Sequence, residues 1–136
     1  MDREYLNQDK NALPVGDPYV GKYLSTLNLD LDYKITEIAR RKGNDDLSDD
    51  DRESLISEIN ASVTSHLIVT MGIDAISHIK ELLSKETPDK TIVLTGSRRL
   101  GGLMDTDADF NIAFALAAVQ TLPTGVYCCL DGKVTQ

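Results

Sequence analysis

Three short apolar runs, separated by longer stretches of helical periodicity, most constrain how this chain can fold. The runs are HLIVT (66–70), KTIVLTG (90–96) and GVYCCL (125–130). Runs without polar alternation are typical of strands that are buried on both faces of a parallel sheet. Helical patterns lie between them, at 74–87 and 107–122. This order predicts βαβ units with right-handed crossovers, and therefore an α/β fold: a three-layer sandwich with a mainly parallel sheet.

The amino-terminal half adds further elements. Residues 1–17 are polar and turn-rich and are predicted to form a flexible lead-in to a domain at 18–136. The spacing of PYVGKYLSTL (18–27) predicts a helix, and the alternation in LDLDYKITEIA (29–39) predicts a half-buried strand. A helix beginning after a Ser48 cap has an acidic first turn that complements the helix dipole. Its apolar face comprises Leu55, Ile56, Ile59 and Val63.

Charge and hydropathy narrow the classes of function. The chain has 136 residues, which fits one domain, and a formal charge of −8, which disfavours binding to nucleic acid or to anionic membranes. It contains no apolar run of the roughly 18 residues that a spanning helix needs, and its start lacks the pattern of a signal peptide. We therefore expect a cytoplasmic protein with no nucleic-acid partner and no membrane association.

Several residues that can carry chemistry have structural explanations here. Cys128 and Cys129 are adjacent in a strand and are expected to be buried on opposite faces, without the spacing of a metal site or a disulfide framework. The histidines, His66 and His78, lack a nucleophile motif and are assigned structural roles. No metal and no cofactor are predicted.

Two charged segments are also explained structurally. The loop GSRRLGG (96–102) lacks the residues of a P-loop or a dinucleotide fingerprint, so Arg98 and Arg99 are interpreted as solvated charges or as partners of carboxylates. The acidic cluster does not match a calcium loop and is better explained by helix capping. Its members are Asp45, Asp46, Asp49, Asp50 and Asp51.

Asp74 follows Gly72 in the segment HLIVTMGIDA, at the end of a predicted strand. This is where α/β proteins bind ligands, but an aspartate here is equally suited to cap the following helix. From position alone, both interpretations stay open.

Ordered motifs along most of the chain resemble one enzyme family. The series begins with DREYLNQDKNALPVGD (2–17) and continues with KGNDDLSDDDR (42–52) and HLIVTMGIDA. It ends in residues 89–134, which contain VLTG, then Asp107 with Asn111, then PTGVY. These segments are similar to the amino-terminal domain of type I and II L-asparaginases. The resemblance implies that domain's fold. It also implies an ancestry in enzymes that hydrolyse the asparagine side-chain amide through an acyl-enzyme on threonine, without a metal.

The catalytic positions implied by the resemblance have changed. The family's His-Gly-Thr-Asp-Thr motif is here Met71, Gly72, Ile73, Asp74 and Ala75. Ile73 stands where a catalytic threonine would be, and an alkyl side chain cannot attack a carbonyl. No catalytic residue of the family is therefore intact.

Some binding positions are retained. Asp74 matches the aspartate that binds the substrate ammonium group, with Gly72 before it. Asn44 replaces a substrate-contacting serine, and Tyr5 matches the tyrosine of a mobile loop. Together with the Asp107 and Asn111 element, these residues are expected to keep a small polar pocket for asparagine or aspartate.

We therefore expect a shortened asparaginase-like domain that is non-catalytic and serves as a binding or assembly module, as a homo-oligomer or as a subunit of a heteromeric complex. Without the family's opening strand and carboxyl-terminal domain, sheet edge and apolar surface should be exposed and should require a partner. Two alternatives stay open: an amidohydrolase whose missing groups come from another chain, and a sensor of asparagine or aspartate.

Overall fold

The computed structural model describes residues 19–38, 48–99 and 101–136, which form a sheet between two layers of helices. The elements are α1 (Tyr19–Ser25), α2 (Asp49–Ala61), β1 (His66–Thr70), α3 (Ile73–Glu86), β2 (Thr91–Thr95), α4 (Ala108–Thr121), β3 (Gly125–Leu130) and β4 (Lys133–Thr135). Among these residues the strand order is β1-β2-β3-β4, with the first three parallel and β4 antiparallel to β3. The predicted α/β sandwich with a mainly parallel sheet is confirmed.

The two faces of the sheet carry separate cores. On one face, Ile92 and Leu94 of β2 pack with residues of α2 and α3, while Val93 packs on the other face with α4. Cys128 belongs to the first cluster and Cys129 to the second, and both are buried. The prediction that the cysteines are buried on opposite faces is confirmed. The smaller helix α1 packs against Ala108 and Ile112 at the start of α4.

The connections between the parallel strands have opposite hands. β1, β2 and β3 are consecutive neighbours, yet α3 and α4 lie on opposite faces. The Thr91 N–H donates to the carbonyl of Ser65, just before β1, so alternate residues of β2 starting with Thr91 direct their backbone groups toward β1. Val93 is the next of these residues, and its side chain packs against α4. For L-residues this makes β1–α3–β2 right-handed and β2–α4–β3 left-handed.

The expectation of right-handed crossovers throughout is therefore wrong for the second connection. The physical reason lies in the cores. One face is already covered by α2 and α3, so placing α4 there would leave Val93, Tyr127 and Cys129 in water, whereas on the opposite face it buries them.

The segment 29–38 is not a strand, contrary to the prediction from its alternation. Leu31, Tyr33 and Ile35 are 41%, 51% and 41% exposed. Alternation creates a strand only where a neighbouring strand supplies hydrogen bonds, and none of the described strands pairs with this segment.

Three smaller expectations also need correction. β1 is only half-buried instead of covered on both faces, because among the described strands it lies at the edge of the sheet. Val63 lies beyond the end of α2 at Ala61 and is fully exposed, so it does not extend that helix's apolar face. The strand β4 was not predicted, although its turn at Asp131 and Gly132 is the Asp-Gly pair that favours a tight hairpin.

Helix α2 matches its sequence signals closely. Ser48 is the N-cap, its side chain accepts from the Asp51 N–H, and the Asp51 carboxylate accepts from the Ser48 N–H. This capping box confirms the explanation given for that part of the acidic cluster, while Asp45 and Asp46 lie outside the described residues. No helix in the described ranges combines the length and apolar character needed to cross a bilayer.

Candidate functional site

The candidate site is the crevice between the carboxyl ends of β1 and β2. The chain leaves β1 toward the α3 face and leaves β2 toward the α4 face, so the two loops diverge. Such a switch point is where open α/β sheets bind ligands. Met71 of the first loop and Ile73 at the start of α3 lie beside Gly96 of the second loop. Gly72, Asp74 and Ser97 are their neighbours along the chain.

Direct packing closes the floor of this crevice. The Met71 N–H donates to the Thr95 carbonyl at 3.0 Å. Gly96 lies so close that an added methyl group would overlap the Met71 carbonyl and lie 3.3 Å from Cγ1 of Ile73. Only glycine fits at position 96 without moving the backbone of the neighbouring loop.

The altered motif positions belong to the hydrophobic core. Met71 is 5% exposed within the cluster that joins α3 to the sheet, and Ile73 and Ala75 pack against the same cluster. The three side chains contribute apolar packing, and none of them can act as a nucleophile or a general base.

Asp74 is exposed in the first turn of α3. The residue that caps α3 is Gly72, whose extended backbone (φ −67°, ψ 138°) starts the helix at Ile73. The N-cap interpretation of Asp74 is therefore wrong by two positions. Gly72 provides no side-chain cap, so the first N–H groups of α3 lack that partner. The Asp74 carboxylate stands beside this positive helix end.

Asp107 organises the loop that follows β2. Its carboxylate accepts the N–H groups of Arg98 and Arg99, each at 3.0 Å. Burial favours the neutral acid, but these two hydrogen bonds and the Arg98 charge outweigh it and lower the pKa of Asp107. The Asp107 carboxylate is therefore charged, and it binds backbone N–H groups of its own loop.

Asn111 is fully buried and connects three segments. Its Nδ2 donates to the Gly96 carbonyl at 2.8 Å, and its Oδ1 accepts the Asp131 N–H at 3.1 Å. The side chains expected to line a polar pocket, Asp107 and Asn111, are thus occupied by backbone groups.

The arginines contact carboxylates, as one of their two interpretations predicted. Arg98 pairs with Asp131, and Arg99 lies 3.8 Å from the Asp105 carboxylate while also donating to the Asp105 carbonyl at 2.9 Å. The side chains are exposed, so these pairs contribute little to stability. They join the loop after β2 to the turn after β3, through Arg98 and Asp131, and to its own residue Asp105.

Tyr19 secures the same loop from α1, a contact that the sequence analysis missed. Its hydroxyl donates to Asp109 at 2.6 Å, and its ring covers Gly101 so closely that a side chain there would overlap it. Burial and the Asp109 hydrogen bond raise the pKa of Tyr19 to about 12. The helix predicted over 18–27 includes Tyr19, but its spacing gives no sign of this partner, which is 90 residues away along the chain.

The remaining predicted residues do not join the crevice. Tyr5 and Asn44 lie outside the described residues, so their role as binding residues stays a prediction. His66 and His78 are exposed at the start of β1 and on α3. In the described ranges, no group of three His, Cys, Asp or Glu side chains is arranged to hold a metal ion.

Comparison with known proteins gives one family. The family model described as Asparaginase, N-terminal matches residues 19–136, which include every helix and strand named above and both loops of the crevice. A search of curated proteins finds no match.

Proposed function

Since the chain belongs to the asparaginase family through its amino-terminal domain, we propose that it is a non-catalytic asparaginase-like domain that acts as a cytoplasmic binding or assembly module. One observation carries the proposal. Met71, Ile73 and Ala75, which stand where the resemblance puts catalytic and binding side chains, pack in or against the hydrophobic core.

The packing matters as much as the loss of the hydroxyl group. A hydrolase needs space for substrate and water beside its nucleophile, together with donors aimed at the developing oxyanion. Here a methyl group added at Gly96 would lie 3.3 Å from Cγ1 of Ile73, so the two loops leave little space between them. The hydroxyl groups of Thr95 and Ser97 are already engaged. Thr95 donates to the Cys129 carbonyl and Ser97 to the Arg99 carbonyl, both at 2.7 Å.

The test is ammonia release from asparagine by wild-type protein, Ile73→Thr and Ile73→Val. Valine has the shape of threonine without its hydroxyl group, so it is a matched control for the change in packing. We expect no ammonia above background from any of the three. Release by wild-type protein, or by Ile73→Thr alone, would contradict the proposal and support the competing amidohydrolase function.

A second candidate is a sensor of asparagine or aspartate, which the surroundings of Asp74 favour. An exposed carboxylate suits a ligand ammonium group, and the N–H groups at the uncapped start of α3 suit a ligand carboxylate. Calorimetry with both amino acids tests this function, with Asp74→Ala as the variant and the exposed Asp89→Ala as the control. If wild-type protein gives no heat of binding, the sensor function is excluded.

A further inference from the structure

The segment 29–38 has the sequence of a strand but no strand beside it. Residues 30–36 (DLDYKIT) contain no glycine or proline, and none of them has a positive φ. No backbone hydrogen bond joins these residues to another described part of the chain. Their N–H and C=O groups are therefore open to pairing with a strand from outside the molecule.

The apolar side chains of this segment lie beside helix α1 without being covered by it. A methyl group added at Gly21 would lie 3.2 Å from Cδ1 of Ile35, so Ile35 is close to α1. Leu31, Tyr33 and Ile35 nevertheless stay 41–51% exposed. Alternate residues of an extended chain point to the same side, so these three form one apolar row that a neighbouring strand would cover.

The charged side chains of the segment have no use inside the described molecule. Asp30, Asp32 and Lys34 alternate with the apolar row and are exposed. None of the ion pairs between described residues includes them. These charges can therefore select a partner strand and its register.

A second copy of the same segment complements this pattern in one antiparallel register. When two copies pair about Tyr33, Leu31 lies opposite Ile35 of the second copy, and Asp32 lies opposite its Lys34. Two-fold symmetry repeats each of these contacts. Directly opposite residues have Cβ atoms about 4.5–5.5 Å apart, which suits both the apolar and the charged pairs.

Other symmetric registers that keep the apolar rows on one face lack this complementarity. A parallel pair in register puts each charge opposite itself, as does an antiparallel pair centred on Asp32 or Lys34 at its centre. Centring the pair on Leu31 puts Asp30 opposite Asp32, and centring it on Ile35 leaves no pair of opposite charges. Like charges directly opposite each other destabilise paired strands. The charge pattern therefore selects pairing about Tyr33.

The net charge of the chain opposes self-association, but only over a limited distance. Each copy carries a formal charge of −8. At physiological ionic strength the Debye length is about 8 Å, so charges farther apart are largely screened. Directly opposite charges are closer than this distance. Self-association through this segment should consequently depend on Asp32 and Lys34 more than on net charge.

We propose that the segment 29–38 joins two copies of this chain into a two-fold dimer through antiparallel strand pairing about Tyr33. The backbone groups of each segment bond those of the other. Two Leu31–Ile35 pairs and the Tyr33 pair join the apolar rows, and two Asp32–Lys34 pairs fix the register. The inference rests on the proposed function as an assembly module and names its partner, a second copy of the chain.

Charge reversal in the full chain tests the register. Asp32→Lys and Lys34→Asp each put like charges opposite each other in a homodimer. The double variant exchanges the two charges and restores the opposite pairs. A mixture of the two single variants also restores them, because one chain then has lysine at both positions and the other has aspartate at both.

Asp89→Lys is the matched control for net charge. Asp89 is exposed outside the segment, and its reversal changes the net charge as much as Asp32→Lys does. Analytical ultracentrifugation measures the dissociation constant of each protein and of the mixture. Circular dichroism checks that each exposed substitution leaves the fold intact.

We expect wild-type protein to form dimers with a dissociation constant on the order of 10 μM, as suits a small interface. Each single reversal should raise this constant about tenfold. The double variant and the mixture should dimerise like wild type. Asp89→Lys should not weaken the dimer, although a dimer governed by net charge would respond equally to Asp89→Lys and Asp32→Lys.

The two-fold axis gives an independent test by cross-linking. Tyr33 lies opposite its own copy, so Tyr33→Cys should form an intermolecular disulfide under mild oxidation with copper phenanthroline. Thr36→Cys should not, because Thr36 lies opposite Asp30 in this register. The native cysteines, Cys128 and Cys129, are buried. Non-reducing electrophoresis of the folded protein after oxidation measures the cross-linked fraction.

Several results would overturn the inference. These are a wild-type monomer at about ten times the expected dissociation constant, a dimer that the single reversals do not weaken, or a mixture of single variants that stays monomeric. Equal cross-linking through Tyr33→Cys and Thr36→Cys would also overturn it, because the two copies would then meet in another arrangement.

Failure here is distinguishable from failure of the proposed function. A monomeric protein that releases no ammonia removes only the dimer inference. Ammonia release by a protein that dimerises as described removes only the assignment as non-catalytic.

Discussion

Replacing Asn111 should destabilise the protein more than any exposed polar substitution, because this amide holds together the loop after β2, the turn after β3 and the start of α4. Asn111→Ala removes two hydrogen bonds, of 2.8 Å to Gly96 and 3.1 Å to Asp131. Each contributes about 1 kcal/mol, and leaving the buried Gly96 carbonyl without a donor adds about 1 kcal/mol more. We expect the free energy of unfolding to fall by about 3 kcal/mol.

Urea unfolding followed by far-UV circular dichroism measures this loss, and a melting curve should shift down by about 12 °C. Asn60→Ala is the control, since Asn60 is exposed on α2 and alanine is the better helix former. A loss below about 1 kcal/mol for Asn111→Ala, within the range of ordinary surface substitutions, would refute the reasoning that the amide is an essential link.

Asn111→Asp provides a second check with a specific pH dependence. The new carboxylate would be buried against the Gly96 carbonyl, and both features raise its pKa above that of the unfolded chain. A raised pKa means that the folded state binds the extra proton more readily, so stability relative to wild type should increase as pH falls. The same deficit at pH 5 and pH 8 would contradict the hydrogen-bond geometry.

Further predictions concern Tyr19 and Gly96, two residues whose close contacts hold the loop after β2 in place. Tyr19→Phe should lower the free energy of unfolding by about 1 kcal/mol at pH 7. The pKa of Tyr19 is raised to about 12 in the folded protein, so the extra stability of the wild-type protein over Tyr19→Phe should disappear as pH rises from the unfolded value of 10.0 toward 12. Urea unfolding of both proteins across that pH range measures the difference in stability. A difference that does not change with pH would contradict the Asp109 contact. Gly96→Ala should cost about 2 kcal/mol through displacement of the Met71 carbonyl, and a thermal melt that matches wild type would show that the crevice is open.

Much of the fold was predictable because its signals are local. The runs that became β1, β2 and β3 are apolar and short, and Ser48 with Asp51 is a capping pattern visible in the sequence. The faces taken by Cys128 and Cys129 also follow from strand geometry alone.

The failures concern relations between distant segments. The alternation in 29–38 is a real strand pattern, but a strand also needs a neighbour, which no local pattern reports. The hand of the second crossover depends on which face α2 and α3 had already covered.

The position of the candidate site was predictable from the sequence, but the burial of its side chains and their hydrogen-bond partners were not. The turn at Gly72 marked the crevice, and the resemblance drew attention to Ile73 and Asp74. The burial of Met71 and the closure by Gly96 depend on the second loop, which meets the first only in the folded chain. Asp107 and Asn111 were expected to serve a ligand and instead bind backbone, a difference that side-chain identity cannot reveal.

The adjacent cysteines make the two halves of this sandwich separately observable. Burial raises the pKa of the Cys128 thiol, and that of Cys129 to about 11, so neither reacts readily in the closed protein. A thiol reagent reaches Cys128 only when the α2 and α3 layer lifts and Cys129 only when α4 lifts. Modification rates at neighbouring positions of one peptide would therefore report the opening equilibria of opposite layers in the same molecule.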